Sequence, residues 1–259
     1  MKPKKSLGQN FLTSTAALAK IIETADLRSG DAVLEIGPGK GALTEELLKT
    51  GAKVLAVEKD NELVFFLNEK FKKEVASKQL TLINGDILEI NFEEKSFIKK
   101  DYKIIANIPY YITGQIIRKF LTGKQKPTKM VLLVQKEVAE RIVAKNGKES
   151  ILSLSVKAYG EPKYIIKVSR GSFFPVPKVN SAVLCIENIK EAFKNGEEKR
   201  FFEILHAGFG QKRKMILGNI SDIFGGKESA KKALNKCGID PKKRSEDIDL
   251  SGWKCLSNI

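Results

Sequence analysis

The four residues Asn107-Ile108-Pro109-Tyr110 stand directly after the apolar run Tyr102–Ala106 and carry the groups needed to hold the amine of a base. An asparagine amide can accept a hydrogen bond from an exocyclic NH2, and proline, which has no N–H donor, leaves its neighbouring carbonyls as acceptors. The tyrosine ring offers a stacking face. These groups predict methyl transfer onto adenine, although the same tetrapeptide is also typical of a proline-centred turn after a strand.

A glycine-rich loop lies upstream of this motif. The strand-like run Ala32–Ile36 leads into Gly37-Pro38-Gly39-Lys40-Gly41, and a helical pattern follows. Glycines allow backbone N–H groups to approach a ligand closely, and the start of the helix presents unpaired donors to negative charge. The loop therefore predicts a nucleotide-like cofactor.

The loop alone does not decide which cofactor binds. A second strand, Lys53–Val57, ends at Glu58, where a carboxylate can accept hydrogen bonds from both hydroxyls of a ribose. The spacing Gly37-x-Gly39-x-x-Ala42 also fits the dinucleotide fingerprint, so NAD remains open at this step.

Polar residues follow two further predicted strands. Leu80–Ile83 is followed by Asp86, and the next strand is followed by Asn107. In an open parallel sheet, ligands bind beyond the carboxyl ends of the strands, so Gly37, Glu58, Asp86 and Asn107 are expected to converge on one crevice.

These motifs resemble those of the small-subunit ribosomal RNA adenine N6,N6-dimethyltransferases, which are class I S-adenosylmethionine (SAM) methyltransferases. The resemblance spans nearly the whole chain and includes Ser6–Leu12, Phe173–Val179 and the block Gln211–Lys214, which is similar to a basic helix of the family. Relatives that methylate the large-subunit RNA share the first motifs but are less similar in the C-terminal half, around Gly238–Pro241 and Arg244–Glu246.

The resemblance implies SAM as the cofactor and no metal. It assigns the cofactor contacts to Asn10 and Leu12 as a lid, Gly37 at the methionine moiety, Glu58 at the ribose, Asp86 at the adenine amine and Asn107 near the reactive centre. It assigns the acceptor base to Tyr110 and Phe173, while the chemistry of the motif predicts that Asn107 and the turn at Pro109 hold the amine of that base. Spacing alone does not separate Phe173 from Phe174, and we select Phe173 because it aligns with the family motif.

The charge of the chain favours a polyanionic partner. Lys and Arg number 46 against 31 Asp and Glu, which gives a formal net charge of +15. The basic runs are Lys2, Lys4 and Lys5; Arg118, Lys119, Lys124, Lys126 and Lys129; Lys212–Lys214; and Lys242–Arg244.

The cysteines and the hydropathy pattern favour a reducing, cytoplasmic location. Cys185, Cys237 and Cys255 are too few and too scattered to predict a disulfide framework or a Cys-x-x-Cys metal site. No apolar stretch approaches about 18 residues, and no signal-peptide core follows the basic start, so we expect no membrane association. The single histidine, His206, is expected on a helix surface or core edge rather than in catalysis.

The element pattern predicts an α/β fold with a Rossmann-like methyltransferase sheet of about seven strands in residues 1–188 and a small all-helical, RNA-binding domain in residues 189–259. A basic arm over residues 1–12 is expected to lead into a helix, Ser14–Ala25, capped by Thr13 or Ser14. Later predicted elements are strands Met130–Gln135, Lys163–Ser169 and Ala182–Glu187 and helix Glu137–Ala144.

The sequence therefore predicts a monomeric enzyme that forms N6,N6-dimethyladenosine in small-subunit ribosomal RNA, on an immature small subunit. Two alternatives remain: a DNA adenine methyltransferase, and a non-catalytic ribosome-assembly or nucleic-acid-binding factor on the same fold. An NAD enzyme would need a hydride-transfer site, for which no His, Tyr-Lys or Cys constellation is present.

Overall fold

A computed structural model describes residues 2–4, 7–92, 101–194 and 196–259 of the chain. Lys5, from the basic arm, and Ser6, from the motif that begins there, lie outside the described residues. The chain forms two compact units, Met1–Ala139 with Glu161–Ile189 and Glu140–Gly160 with Lys190–Ile259. The domain division proposed from the sequence, after residue 188, runs near the last of these boundaries but leaves residues 140–160 in the first part.

The first unit contains a seven-stranded sheet with the strand order β4-β3-β2-β5-β6-β9-β7 and a two-stranded sheet of β1 and β8. The strands are β1 Phe11–Leu12, β2 Ala32–Ile36, β3 Lys53–Glu58, β4 Leu80–Asn84, β5 Tyr102–Asn107, β6 Lys129–Gln135, β7 Glu161–Val168, β8 Phe173–Phe174 and β9 Ser181–Glu187. The predicted α/β fold with about seven strands is confirmed.

Strands β2 to β6 pair in parallel, and β9 pairs antiparallel with both β6 and β7. The chain runs from β2 outward through β3 to β4 and then returns to place β5 on the other side of β2. This reversal creates a topological switch point at the carboxyl ends of β2 and β5, which is where open α/β sheets bind ligands.

The helices of the described residues flank this sheet or form the second unit. They are α1 Thr15–Ala25, α2 Ala42–Lys49, α3 Asn61–Lys70, α4 Lys72–Ala76, α5 Thr113–Thr122, α6 Lys136–Ile142, α7 Ile151–Tyr159, α8 Glu197–Gly208, α9 Ile216–Ile220, α10 Lys227–Lys236 and α11 Leu250–Ser257. No described helix has the length and apolar character needed to cross a membrane.

Helix α1 illustrates how the sequence specifies these elements. Ser14 is the N-cap, and its side chain accepts a hydrogen bond from the Ala17 backbone N–H at 3.2 Å, an interaction that stabilises a helix by about 1 kcal/mol. The apolar residues Leu18, Ile21 and Ala25 repeat with helical spacing and are buried in the core. Of the two predicted caps, Ser14 is therefore the one used.

The regular elements of the second unit after residue 190 are all helices in the described residues, in agreement with the predicted C-terminal helices. The basic block Gln211–Lys214, compared above with a helix, lies instead in an exposed turn between α8 and α9. Gly210 precedes this turn, and its flexible backbone favours helix termination there.

The cysteine prediction needs a correction in this unit. Cys237, at the end of α10, and Cys255, within α11, form a disulfide with their Cα atoms 5.8 Å apart. Their separation of 18 residues concealed the pairing, because the segment between them turns back and brings the later part of α11 against the end of α10. The third cysteine, Cys185, is buried in β9 and is not in a disulfide.

Packing in the second unit can be tested at Gly208, the last residue of α8. A methyl group there would lie 2.2 Å from Cη2 of Trp253, whose side chain is buried. We expect Gly208→Ala to lower the free energy of unfolding by about 1 to 3 kcal/mol through overpacking, as measured by urea denaturation.

The matched control is Gly218→Ala in α9, where nothing lies within 4 Å of the added methyl. This variant should be unchanged or more stable by up to about 1 kcal/mol, because alanine restricts the unfolded chain. A Gly208→Ala protein with wild-type stability would contradict the close contact with Trp253.

Candidate cofactor and acceptor site

A cavity of about 690 Å³ lies in the first unit, at the carboxyl ends of the central strands. Such a volume suits a nucleotide-sized ligand. Its lining includes eight of the nine predicted site residues: Asn10, Leu12, Gly37, Glu58, Asp86, Asn107, Pro109 and Tyr110. The structure therefore brings these residues to one cavity, and Phe173 is the exception.

Three glycines of the loop adopt a backbone conformation that other residues rarely adopt. Gly37, Gly39 and Gly41 have φ angles of 66°, 59° and 76°, in the left-handed region that other residues rarely adopt. A methyl group on Gly39 would also lie 2.9 Å from the Phe11 ring. These glycines place the backbone against the cavity just before α2 begins at Ala42.

Glu58, the last residue of β3, is held by backbone donors. Its Oε2 accepts from the Gly39 N–H at 3.1 Å, and its Oε1 accepts from the Asp60 N–H at 2.9 Å. Burial raises the pKa of Glu58 above its ordinary value, and these hydrogen bonds offset part of that effect. The carboxylate is thus fixed in orientation at the edge of the cavity.

Asp86 provides a second oriented carboxylate. Its Oδ2 forms an ion pair with Lys59 Nζ at 2.8 Å, and its Oδ1 accepts from the Leu88 N–H at 2.9 Å. The hydrogen bond from Lys59 lowers the pKa of Asp86, so the group is an ionised acceptor.

The N-terminal arm is tied to the end of β3 through Asp60. Lys4 Nζ lies 2.7 Å from Asp60 Oδ1, and Gln9 Nε2 donates to Asp60 Oδ2 at 2.9 Å. Burial alone would raise the pKa of Asp60. The hydrogen bonds from Lys4 and Gln9 have the larger combined effect and hold this pKa below its ordinary value. The ionised Asp60 therefore anchors the arm beside the Glu58 carboxylate.

The arm also orients the amide of Asn107. Asn107 Nδ2 donates to the Asn10 backbone carbonyl at 3.0 Å. Because the nitrogen of the amide is committed to this bond, its Oδ1 is the atom presented as an acceptor. A single residue of the arm thus sets which end of the amide meets a ligand.

Tyr110 begins a short 3-10 helix, Tyr110–Ile112, that follows Pro109. Its hydroxyl and the Ser181 hydroxyl are 2.7 Å apart, in hydrogen-bonding contact, and Ser181 is fully buried at the start of β9. This bond fixes the phenol at one end and holds the ring at the cavity wall.

Phe173 lies elsewhere than the alignment led us to expect. Strands β1 and β8 pair antiparallel, with Phe11 opposite Phe174 and Leu12 opposite Phe173. Since side chains alternate along a strand, Phe173 joins Leu12 in the hydrophobic core with 2% of its surface exposed. Phe174 points the other way and lines the cavity.

The sequence analysis missed Glu35. This residue sits within the apolar strand β2, lines the cavity and is 1% exposed. No described residue makes a hydrogen bond to either of its carboxylate oxygens. A lone acid in a buried strand, two positions before a glycine loop, was the available signal, but the run was interpreted as purely apolar.

The burial of Glu35 raises its pKa to about 8, and the nearby Thr44 hydroxyl offsets only part of the effect. An unpartnered carboxyl next to a glycine cradle fits a ligand that carries both a nucleoside and a positive charge. SAM has both, since it consists of a nucleoside with cationic amino and sulfonium groups. No group of His, Cys, Asp and Glu suited to a metal ion occurs among the described residues.

Comparison with known proteins identifies the family of the chain. A family model described as ribosomal RNA adenine dimethylase matches residues 1–258. A protein from Dehalococcoides mccartyi (strain CBDB1) named ribosomal RNA small subunit methyltransferase A is 45% identical over 99% of this chain and 88% of the relative. A protein of the same name from Clostridium botulinum (strain Okra / Type B1) is 40% identical over 99% of this chain and 94% of the relative.

Two solved structures are also similar. A dimethyladenosine transferase from Plasmodium falciparum aligns with a TM-score of 0.80 and 27% identity over 95% of both chains. The 23S rRNA methyltransferase ErmE aligns with a TM-score of 0.78 and 26% identity over 96% of this chain and 98% of that chain.

The raised pKa of Glu35 predicts a pH-dependent stability. The folded protein keeps this carboxyl protonated up to about pH 8, whereas the unfolded chain ionises near the ordinary value of 4.5. The unfolded state therefore binds fewer protons, and stability falls as the pH rises through this window. We expect Glu35→Gln to reduce this loss of stability with rising pH. The measurement is the urea midpoint of unfolding between pH 5 and pH 8, without cofactor.

Glu69→Gln, at an exposed position of α3, is the matched control and should keep the wild-type pH profile. If Glu35→Gln also leaves the profile unchanged, then Glu35 does not titrate in this window.

Proposed function

Because the chain belongs to the ribosomal RNA adenine dimethylase family, we propose that it transfers methyl groups from SAM to N6 of adenines in small-subunit ribosomal RNA. The product is N6,N6-dimethyladenosine, formed on an immature small subunit in the cytoplasm by a monomeric enzyme. The observation that carries this proposal is the oriented Asn107 amide at the wall of a cavity that also contains the glycine loop and two ordered carboxylates. The names of the relatives favour the small subunit as the substrate.

In this proposal, backbone groups of Gly37 hold the methionine part of the cofactor, Glu58 holds its ribose, and Asp86 holds its adenine amine. Asn10 and Leu12 cover the bound cofactor as part of the N-terminal arm. The anchoring of that arm at Asp60 supports a lid role, since the same contacts place it beside Glu58. When bound, SAM supplies an electrophilic methyl group on a sulfonium.

The chain's own contribution to the reaction is positioning. The N6 amine of adenine is a weak nucleophile because its lone pair is delocalised into the ring. Hydrogen bonds from N6 to Asn107 Oδ1 and to a carbonyl of the Ile108-Pro109 turn would reduce this delocalisation and aim the lone pair. Orientation of two bound reactants lowers a barrier by about 7 to 11 kcal/mol, so no side-chain nucleophile is required.

Tyr110 stacks on the target base. A stacked base contributes about 1 to 3 kcal/mol, which is comparable to the few kcal/mol needed to extrude a nucleotide. The hydrogen bond to Ser181 supports this role, because a ring already fixed loses little freedom on binding. Phe173, buried beside Leu12, supports the pocket by holding β8 against β1.

The RNA surface of the enzyme comprises the basic runs of both units. In the helical unit, Lys212–Lys214 occupies an exposed turn after α8, and Lys242–Arg244 lies in the segment before α11. Their distribution supports contact with phosphates, which makes binding strongly dependent on salt.

The proposed reaction can be tested by incubating the protein with labelled SAM and unmethylated small ribosomal subunits, naked ribosomal RNA or duplex DNA, followed by mass spectrometry of the nucleosides. We expect N6,N6-dimethyladenosine only in the ribosomal substrates. Label confined to DNA would instead identify a DNA adenine methyltransferase. Tight binding to the subunit without label would identify a non-catalytic assembly factor.

The role of Asn107 can be tested with Asn107→Ala. We expect turnover on small subunits to fall by about 100-fold or more, because the acceptor for N6 is lost, while subunit binding is retained. Asn68→Ala in α3, whose amide also donates to a backbone carbonyl but lies outside the cavity lining, should keep wild-type turnover. Retained turnover in Asn107→Ala would remove this amide from the mechanism.

A further inference from the structure

Two large aromatic side chains stand exposed at the mouth of the cavity. Tyr111 is 62% exposed and Phe174 is 60% exposed, yet both line the cavity. Neither has a role in the mechanism above, where Tyr110 meets the target base. We call Tyr111 and Phe174 the aromatic rim.

Both rings of the aromatic rim are backed by the N-terminal arm. The Tyr111 ring lies against the backbone of Gly8, where a methyl group would be only 3.2 Å from Cε1. Phe174 is paired with Phe11 in the two-stranded sheet, and the Thr13 N–H extends this pairing by donating to the Ser172 carbonyl at 2.8 Å. The rings are therefore held in place while much of their surface faces solvent.

The segments that carry these rings are free of acidic residues. Residues 108–128, between β5 and β6, contain four Lys and Arg, and residues 169–180, between β7 and β9, contain two. Neither segment contains Asp or Glu. Exposed aromatic rings within basic, acid-free segments match the combination used to bind unpaired nucleic acid strands, in which bases stack on the rings and phosphates contact the cations.

We propose that the aromatic rim stacks on the RNA bases that flank the target adenine, so that the enzyme binds a locally unstacked strand rather than a single extruded base. This inference rests on the proposed function, because it needs an RNA adenine in the cavity. It adds Tyr111 and Phe174 as residues that position the substrate, distinct from the groups that contact the reacting amine. Extrusion of the adenine leaves its neighbours without a stacking partner, and the rim supplies one.

The test measures binding of unmethylated small ribosomal subunits in the presence of S-adenosylhomocysteine, by filter binding, so that the result does not depend on turnover. We expect Tyr111→Leu and Phe174→Leu each to raise Kd by about 5- to 100-fold, because leucine keeps apolar volume but has no π face. Tyr111→Phe and Phe174→Tyr keep a ring and should bind within about 2-fold of wild type.

The matched control is Phe65→Leu in α3, which replaces a ring that is 72% exposed but outside the cavity lining. It should bind as wild type does. Affinity for S-adenosylhomocysteine, measured by calorimetry, should be the same in all five variants, which also shows that they fold.

Three results would overturn the inference. If both leucine variants bind the subunit as the wild type does, no base stacks on the rim. If alanine variants then lose affinity, the rim makes an apolar contact with protein instead. A weakened affinity for S-adenosylhomocysteine would assign the rings to the cofactor. If the wild-type protein does not bind the subunit, both the proposed substrate and this inference are refuted. If it binds the subunit but transfers no methyl group, only the proposed reaction is refuted.

Discussion

The parallel register of the central strands is the constraint on which the site depends. Ile36 of β2 pairs with Val57 and with Ala106, so the next residues along the three strands, Gly37, Glu58 and Asn107, emerge at the same level. In this register, the residues that follow paired positions of parallel strands lie at the same edge of the sheet. Gly37 and Asn107, about 70 positions apart in the sequence, thus share a cavity because of the backbone hydrogen bonds between strands.

The N-terminal arm converts this cavity into an ordered site. It contacts Asp60 just after β3, the Asn107 amide through the Asn10 carbonyl, and the aromatic rim through Gly8 and Phe11. A single hydrogen bond among these contacts contributes only about 0.5 to 1.5 kcal/mol. Together they hold the arm in the position from which the Asn10 carbonyl orients the Asn107 amide.

The sequence predicted the sheet and the strand-end residues because both follow from periodicity and from a general rule for parallel sheets. It could not predict the anchoring of the arm, since Lys4, Gln9 and Asp60 are brought together by tertiary structure and have no spacing signal. The disulfide between Cys237 and Cys255 was missed for the same reason. Glu35 was missed because a single acid does not disturb the apolar pattern of a buried strand.

The two phenylalanines of β8 show how strand register gives neighbouring residues of the same type different surroundings. The side-chain period of a strand is two, so Phe173 and Phe174 must face opposite sides, and the register with Leu12 and Phe11 decides which side each one faces. A buried ring and an exposed ring of the same residue type therefore stand next to each other in the sequence. Their pairing with the partner strand distinguishes them. Phe173 lies opposite Leu12 and is buried with it in the core, so Phe174 faces the cavity mouth.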